Sequence, residues 1–196
     1  QCCRSYNNGI LLKNGAQRMT KLDPLVDSER GWQSMNKFIA MQTNPKHKAL
    51  MEMVQEHMRT EVRGDHAGLM ATLVDQPQYH MWGGPADTGP KGRQDVSDFY
   101  QAMFDNNGQG FEFEIRRVIV DDNGVVTEGV LRTSVPGSGV IAAGVEELEG
   151  EPIDAQGTYV NEGQLLTVWP AGADGKLVGE DIYFGTSGMG NLVRWK

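Results

Sequence analysis

Few residues in this chain combine a type and a setting that could do chemistry. His80 stands in Gln78-Tyr79-His80-Met81-Trp82, a short run with strand character. An imidazole there could give or take a proton near neutral pH. Asp181 and Tyr183 fall two apart in Glu180-Asp181-Ile182-Tyr183-Phe184, so a strand puts both on one face. A carboxylate beside a phenol can accept a proton and orient a carbonyl or hydroxyl. Each also has a purely structural reading. His80 could hydrogen-bond at a sheet surface, and the face opposite Asp181, with Glu180, Ile182 and Phe184, is the more apolar one. The expectation adopted is that Asp181 faces inward. Glu128 reads as a pocket carboxylate or as a partner for Arg132, and the ion pair is the simpler of the two. Arg93 and Asp87 read as structural.

Other chemistries lack their residues. His47 and His57 are ten apart on one helical pattern, not the i, i+4 pair of a zinc helix. Asp121-Asp122-Asn123-Gly124 opens like a calcium loop, but its twelfth position is Arg132. The loop from Gly84 to Lys91 carries two prolines and no Lys-Ser/Thr, which rules out a phosphate loop. There is no Gly-x-Ser-x-Gly elbow, and the two cysteines, Cys2 and Cys3, are neighbours in the N-terminal tail. No metal and no cofactor is expected. What remains is acid–base chemistry, or binding alone.

The elements that must position these residues follow from pattern. A short helix is expected around Ser28 to Met41, with Trp32, Met35, Phe38 and Ile39 on one face. Asn44-Pro45 starts a clear helix with Leu50, Met53, Val54, Met58 and Val62 as its stripe and Gly64 at its end. Asp65 caps a second helix carrying Leu69, Met70, Leu73 and Val74. After the strand at 78–82 and a Gly/Pro-rich loop, a third helix runs from about Gln94 to Asp105. Two β-rich runs, 111–120 and 125–133, are joined by Asp121-Asp122-Asn123-Gly124, where Asn-Gly supplies the positive-φ positions of a tight hairpin. Phe111, Phe113, Ile115 and Ile119 share one face of the first run. Residues 136–156 read as an inserted loop, 157–169 as a long strand and 177–184 as the last strand. Helices segregated from an antiparallel sheet mean an α+β fold, a cone-shaped curved sheet wrapped on three N-terminal helices with a pocket between.

Composition sets the bounds. The 196 residues make one domain with appendages: an N-terminal extension over 1–43, the domain over 44–186 with its inserted loop, and a tail over 187–196. A formal net charge of −8 argues against a nucleic-acid or anionic membrane partner. No apolar run approaches a membrane span, and Ile10-Leu11-Leu12 is too short for a signal core, so the chain is expected to be cytoplasmic. Cys2-Cys3 reads as disorder or a cloning remnant, and Met19 as the natural start. Leu192, Val193 and Trp195 could pack back onto the domain.

Several phrases in this order resemble one family. They are Gly64-Asp-His-Ala-Gly-Leu-Met70, Tyr79-His80-Met81-Trp82, Gly92-Arg93, Val126-Thr127-Glu128-Gly129 and Gly179-Glu180-Asp181-Ile182-Tyr183-Phe184. Over roughly residues 45–186 the chain is similar to the nuclear transport factor 2-like superfamily in its SnoaL-like, polyketide-cyclase-like branch. The resemblance implies a cone-shaped α+β barrel, usually a homodimer, around an apolar pocket. It does not fix the reaction, because members include isomerases, dehydratases, epoxide hydrolases, cyclases and non-catalytic binders. The epoxide hydrolases carry an Arg-x-Asp pair where this chain reads Glu128-Gly129-Val130, so that chemistry is disfavoured.

The resulting expectation is a cofactor-independent isomerase, cyclase or dehydratase acting on an apolar carbonyl- or hydroxyl-bearing small molecule. His80, Asp181 and Tyr183 would be catalytic. Met70, Tyr79, Met81, Trp82, Phe99, Tyr100, Met103, Phe113, Glu128 and Trp169 would bind the substrate. The alternative is a small-molecule binder or dimerisation module on the same fold. A homodimer through the open sheet face is expected, with no nucleic acid and no membrane as partner.

Overall fold

The computed structural model describes residues 26–185 and 191–194. Cys2, Cys3, Met19 and Trp195 lie outside that range. The expected helix over 28–41 is two short ones, α1 (Ser28–Gln33) and α2 (Asn36–Met41). Between them the Ser34 hydroxyl donates to the Gly31 carbonyl at 2.6 Å and accepts from the Ile115 N–H at 3.0 Å. This docks α1 on the sheet edge, whose donors would otherwise be open to another chain.

The main helix, α3 (Pro45–Val62), begins as its sequence dictates. Asn44 accepts from the N–H groups of Lys46 and His47, and proline takes the first helical position. It ends at Gly64, whose φ of +65° suits a residue without Cβ. Asp65 accepts from the Gly68 N–H and starts α4 (His66–Ala71). Strand β1 (His80–Trp82) precedes α5 (Gly92–Asp105), which buries Val96 and Tyr100.

The hairpin consists of β2 (Phe111–Asp121) and β3 (Gly124–Pro136). Its turn closes on Asp122-Asn123, and Asp121 is already paired with Gly124. Asn123 does not enter the left-handed region. Instead the Asp121 carboxylate accepts the Asn123 N–H at 2.7 Å.

The register slips between Ile115 and Arg117, a bulge that leaves Arg116 without a Cα partner. Phe111, Phe113 and Ile115 therefore face the core as expected, but beyond the bulge Val118 and Val120 take over. Ile119 turns outward and is 61% exposed, contrary to the simple alternation. Opposite the bulge only glycine fits, since a Cβ on Gly129 would collide with the Glu114 carbonyl.

The 136–156 insertion is ordered rather than a bare loop. It forms α6 (Gly137–Ala142) and a small ladder of β4 (Glu147–Leu148) with β5 (Glu151–Pro152). Val140, Ile153 and Tyr159 give it a core of its own. The chain then enters β6 (Thr158–Pro170), β7 (Asp181–Phe184) and β8 (Leu192–Arg194). The sheet order is β1-β7-β6-β3-β2, with β8 also on β6. The sheet is mixed, not purely antiparallel, because β1 runs parallel to β7. It curves over α3, α4 and α5, and the main core lies between these layers. Among the described residues no helix is long and apolar enough to cross a membrane.

Candidate functional site

Between α3, α5 and the inner sheet face lies a cavity of about 180 Å3. Its walls are apolar. Met58 comes from α3, Phe99 from α5, Phe111 and Phe113 from β2, Leu131 from β3, and Leu165 and Trp169 from β6. Met81, Ile182 and Phe184 close the side formed by β1 and β7. Trp169 is fixed by donating its indole N–H to the Thr127 hydroxyl at 2.9 Å. At one end the wall turns polar, with Glu61, Tyr79, Tyr100 and Glu180. Fully buried His57 stands behind Glu180, with Trp169 packed edge-on 5.5 Å from its ring.

The hydrogen bonds at this end fix one side of the His57 ring. The Thr72 hydroxyl donates to the Leu69 carbonyl at 2.6 Å, so its oxygen is left to accept from His57 Nδ1 at 2.7 Å. The Nδ1 atom therefore carries a proton. On the other side of the ring, Nε2 lies 3.2 Å from Glu180 Oε1. Its hydrogen-bond partners there are the Tyr100 hydroxyl at 3.1 Å and the Tyr79 hydroxyl at 3.4 Å. His57 and Glu180 are thus close polar neighbours linked through these phenols.

Tyr100 donates to the same Oε1 at 2.9 Å, and its oxygen lies 3.2 Å from the Tyr79 hydroxyl. Tyr79 in turn reaches His57 Nε2 at 3.4 Å. Burial, reinforced by the charge of Glu180, pushes both phenols well above their ordinary range, so both remain donors.

Glu61 is different. Its carboxyl lines the cavity, and among the described residues no donor is bonded to it. Burial first, and the neighbouring Glu180 second, push it well above the usual carboxylate range. No lysine or arginine lines the cavity. Among the described residues no three His, Cys, Asp or Glu side chains gather to hold a metal ion.

The residues expected to be catalytic lie elsewhere. His80 and Asp181 are register partners on β1 and β7, and Trp82 is likewise paired with Tyr183. All four project from the outer sheet face, because Tyr79 and Met81 on one strand and Glu180, Ile182 and Phe184 on the other line the cavity. The last strand turns inward the face opposite to the one expected, so Asp181 and Tyr183 point out. The more apolar face is the inner one, and it brings Glu180 with it.

His80 Nδ1 contacts Asp87 at 2.7 Å and its ring stacks 6.0 Å from Trp82. Asp87 is held far below its ordinary range, first by Lys91 and then by the N–H groups of Gly89 and Met81. That cluster pins the 83–91 loop to β1.

Among the expected substrate contacts, Tyr79, Met81, Phe99, Tyr100, Phe113 and Trp169 line the cavity. Met70 and Met103 pack within the core without lining it. Trp82 stacks on Tyr183 outside, and Glu128 pairs with Arg117 at 3.0 Å rather than with Arg132. Arg132 is taken by Glu112, Glu114 and Glu162.

His57, Glu61 and Glu180 were not singled out from sequence. A signal existed: His57 and Glu61 are four apart and extend the apolar row of Leu50, Val54 and Met58. A histidine and a glutamate on the buried stripe of a helix need partners or a role.

A profile of the SnoaL-like domain family matches residues 54–164, more than half of the chain. Solved structures with the same fold include an LEH-like epoxide hydrolase of M. tuberculosis, 18% identical, covering 74% of this chain and 89% of its own, with a TM-score of 0.52. Another is an NTF2-like protein of unknown function from Mesorhizobium loti, 13% identical over 74% of this chain and 98% of that one, with a TM-score of 0.51. A third is Bal32a from a soil-derived mobile gene cassette, 14% identical over 71% and 92%, with a TM-score of 0.50. At these identities the likeness is one of fold. No curated protein matches the chain.

Proposed function

Since the chain belongs to the SnoaL-like domain family of the NTF2-like superfamily, whose fold leaves the reaction to the site, we propose that its cavity performs cofactor-independent acid–base chemistry. The reaction class is isomerisation, cyclisation or dehydration of a small apolar carbonyl or hydroxyl compound. The observation carrying this reading is the approach of His57 Nε2 to Glu180 Oε1, 3.2 Å apart with the Tyr100 hydroxyl in contact with both, at the polar end of an otherwise apolar cavity.

Glu180 faces the cavity and is the base. As a carboxylate, held by the Tyr100 hydroxyl, it removes a proton from a carbon beside a carbonyl. His57 stores and returns protons from behind. The Tyr79 hydroxyl, also lining the cavity, orients the substrate oxygen and donates to the charge that forms on it. Proton return to a different carbon isomerises the substrate, and departure of a β-hydroxyl as water dehydrates it. The same enolate attacking an electrophile within the substrate closes a ring. Exclusion of water by the aromatic walls strengthens each of these hydrogen bonds.

The test is proton–deuterium exchange at the α-carbon of small cyclic ketones and enones, followed by NMR. Exchange should require the protein and fall by about 10²–10⁴-fold in Glu180→Gln, the usual range for loss of a general base. Exchange that survives the substitution refutes the assignment of Glu180. Ligands that bind without any exchange would make this a binding protein on the same fold.

A further inference from the structure

Glu61 has no part in that reaction, and its setting is costly. A carboxyl that lines a largely apolar cavity with no hydrogen-bond donor from the described residues is an unfilled polar contact. Such a group is explained by an occupant that pairs with it. Three observations limit that occupant. The cavity offers two carboxyl groups, Glu61 and Glu180, and no cationic side chain except His57 behind one of them. Its walls include the rings of Phe99, Phe111, Phe113 and Trp169, whose faces attract cations. Its volume of about 180 Å3 is close to the roughly 150 Å3 of an apolar cavity that accepts benzene.

We infer that the natural ligand is a single-ring-sized apolar molecule bearing a basic nitrogen, bound as its ammonium ion against Glu61. An anion such as a carboxylate or phosphate is excluded. The inference rests on the cavity being the ligand site proposed above, and it adds the charge of the ligand.

Binding has a proton balance. Empty, Glu61 is biased toward its protonated form, because burial and then the neighbouring Glu180 push it above the usual carboxylate range. The titratable groups facing this end are His57 and Glu61 from α3, Tyr79 ahead of β1, Tyr100 from α5 and Glu180 ahead of β7. When an ammonium ion arrives, the Glu61 proton leaves to solvent and the carboxylate pairs with the cation. Each amine bound therefore releases up to one proton, the more so as pH falls toward the ordinary carboxylate range.

Calorimetry of the whole chain in two buffers of different ionisation heat reads this directly, with benzylamine, benzyl alcohol and benzoate as probes. Benzylamine should bind at least about tenfold more tightly than benzyl alcohol, as expected for a charge-assisted contact replacing a neutral one, and should release protons on binding. Benzoate should bind more weakly than either. In Glu61→Gln the amine should lose about tenfold and its proton release should vanish. Benzyl alcohol should bind that variant unchanged, which also establishes that the cavity is intact. Equal affinities for amine and alcohol, absent proton release, or an unaltered amine affinity in Glu61→Gln would overturn the inference. Binding of the alcohol but not the amine overturns it while leaving the cavity reading in place. Failure of all three probes to bind sinks both.

Discussion

Removing one oxygen atom, in Tyr100→Phe, tests the polar end of the cavity without changing its shape. The hydroxyl is buried, lies 2.9 Å from Glu180 Oε1, 3.1 Å from His57 Nε2 and 3.2 Å from the Tyr79 hydroxyl, and donates its single hydrogen to the carboxylate. A hydrogen bond to a charged group contributes about 1.5–3 kcal/mol, and the acceptor left behind is 6% exposed, so water cannot fully replace the donor. The loss should be about 2–3 kcal/mol. At about 2–4 °C per kcal/mol for a domain of this size, Tm falls by roughly 5–10 °C. Urea denaturation at fixed protein concentration measures it, together with Glu180→Gln and the double variant. The cycle should return a coupling of at least about 1 kcal/mol, because the two groups are partners. A loss under about 0.5 kcal/mol with additive double-variant behaviour would mean that the hydroxyl is not the donor to Glu180.

Glu61 titrates above its ordinary value of 4.5 in the folded chain, so its contribution to stability is complete below that value and is lost as pH rises through the folded one. Wild type should therefore lose stability relative to Glu61→Gln as pH rises above the ordinary value of 4.5; parallel urea-midpoint curves for the two would contradict this. Asp87 is shifted the other way, and its contribution, present above the ordinary carboxylate range, is lost as pH falls through its lowered folded value. Asp87→Asn should accelerate amide exchange at Met81 and Gly89, whose N–H groups it accepts, while α-proton exchange of a ketone stays within about twofold. A large loss of turnover there would return His80 and its cluster to the chemistry. The outer sheet face exposes Trp82 at 38%, Tyr183 at 44% and Ile119 at 61%, and a homodimer through it is expected. Light scattering at micromolar concentration checks this, and a species of monomer mass alone would reject it.

The helices were legible in sequence because their signals are local. Asn44-Pro45 and Asp65 cap their helices with atoms two or three residues away, and the apolar period of α3 is a property of one segment. The same holds for the hairpin, since Asp121 to Gly124 turn the chain using their own backbone and side chains. The family phrases, taken in order, carried the α+β architecture. What the sequence left open was which side of a short strand faces in.

A strand of four residues such as β7 has two faces of similar size, and its parity is set by neighbours. Here Ile182 lies across from Thr167 and Asp181 across from Val168, and that pairing puts Glu180 and Ile182 inside with Asp181 out. The bulge at Arg116 is of the same kind. Val118 and Val120 hint at it, but only the pairing of β2 with β3 places the slip and turns Ile119 outward. The candidate site itself joins His57 to Thr72 across 15 residues and Tyr100 to Glu180 across 80. No local pattern encodes such contacts, because each of these residues alone is an ordinary buried polar group. They become a candidate site only when packing removes water and leaves them one another as partners.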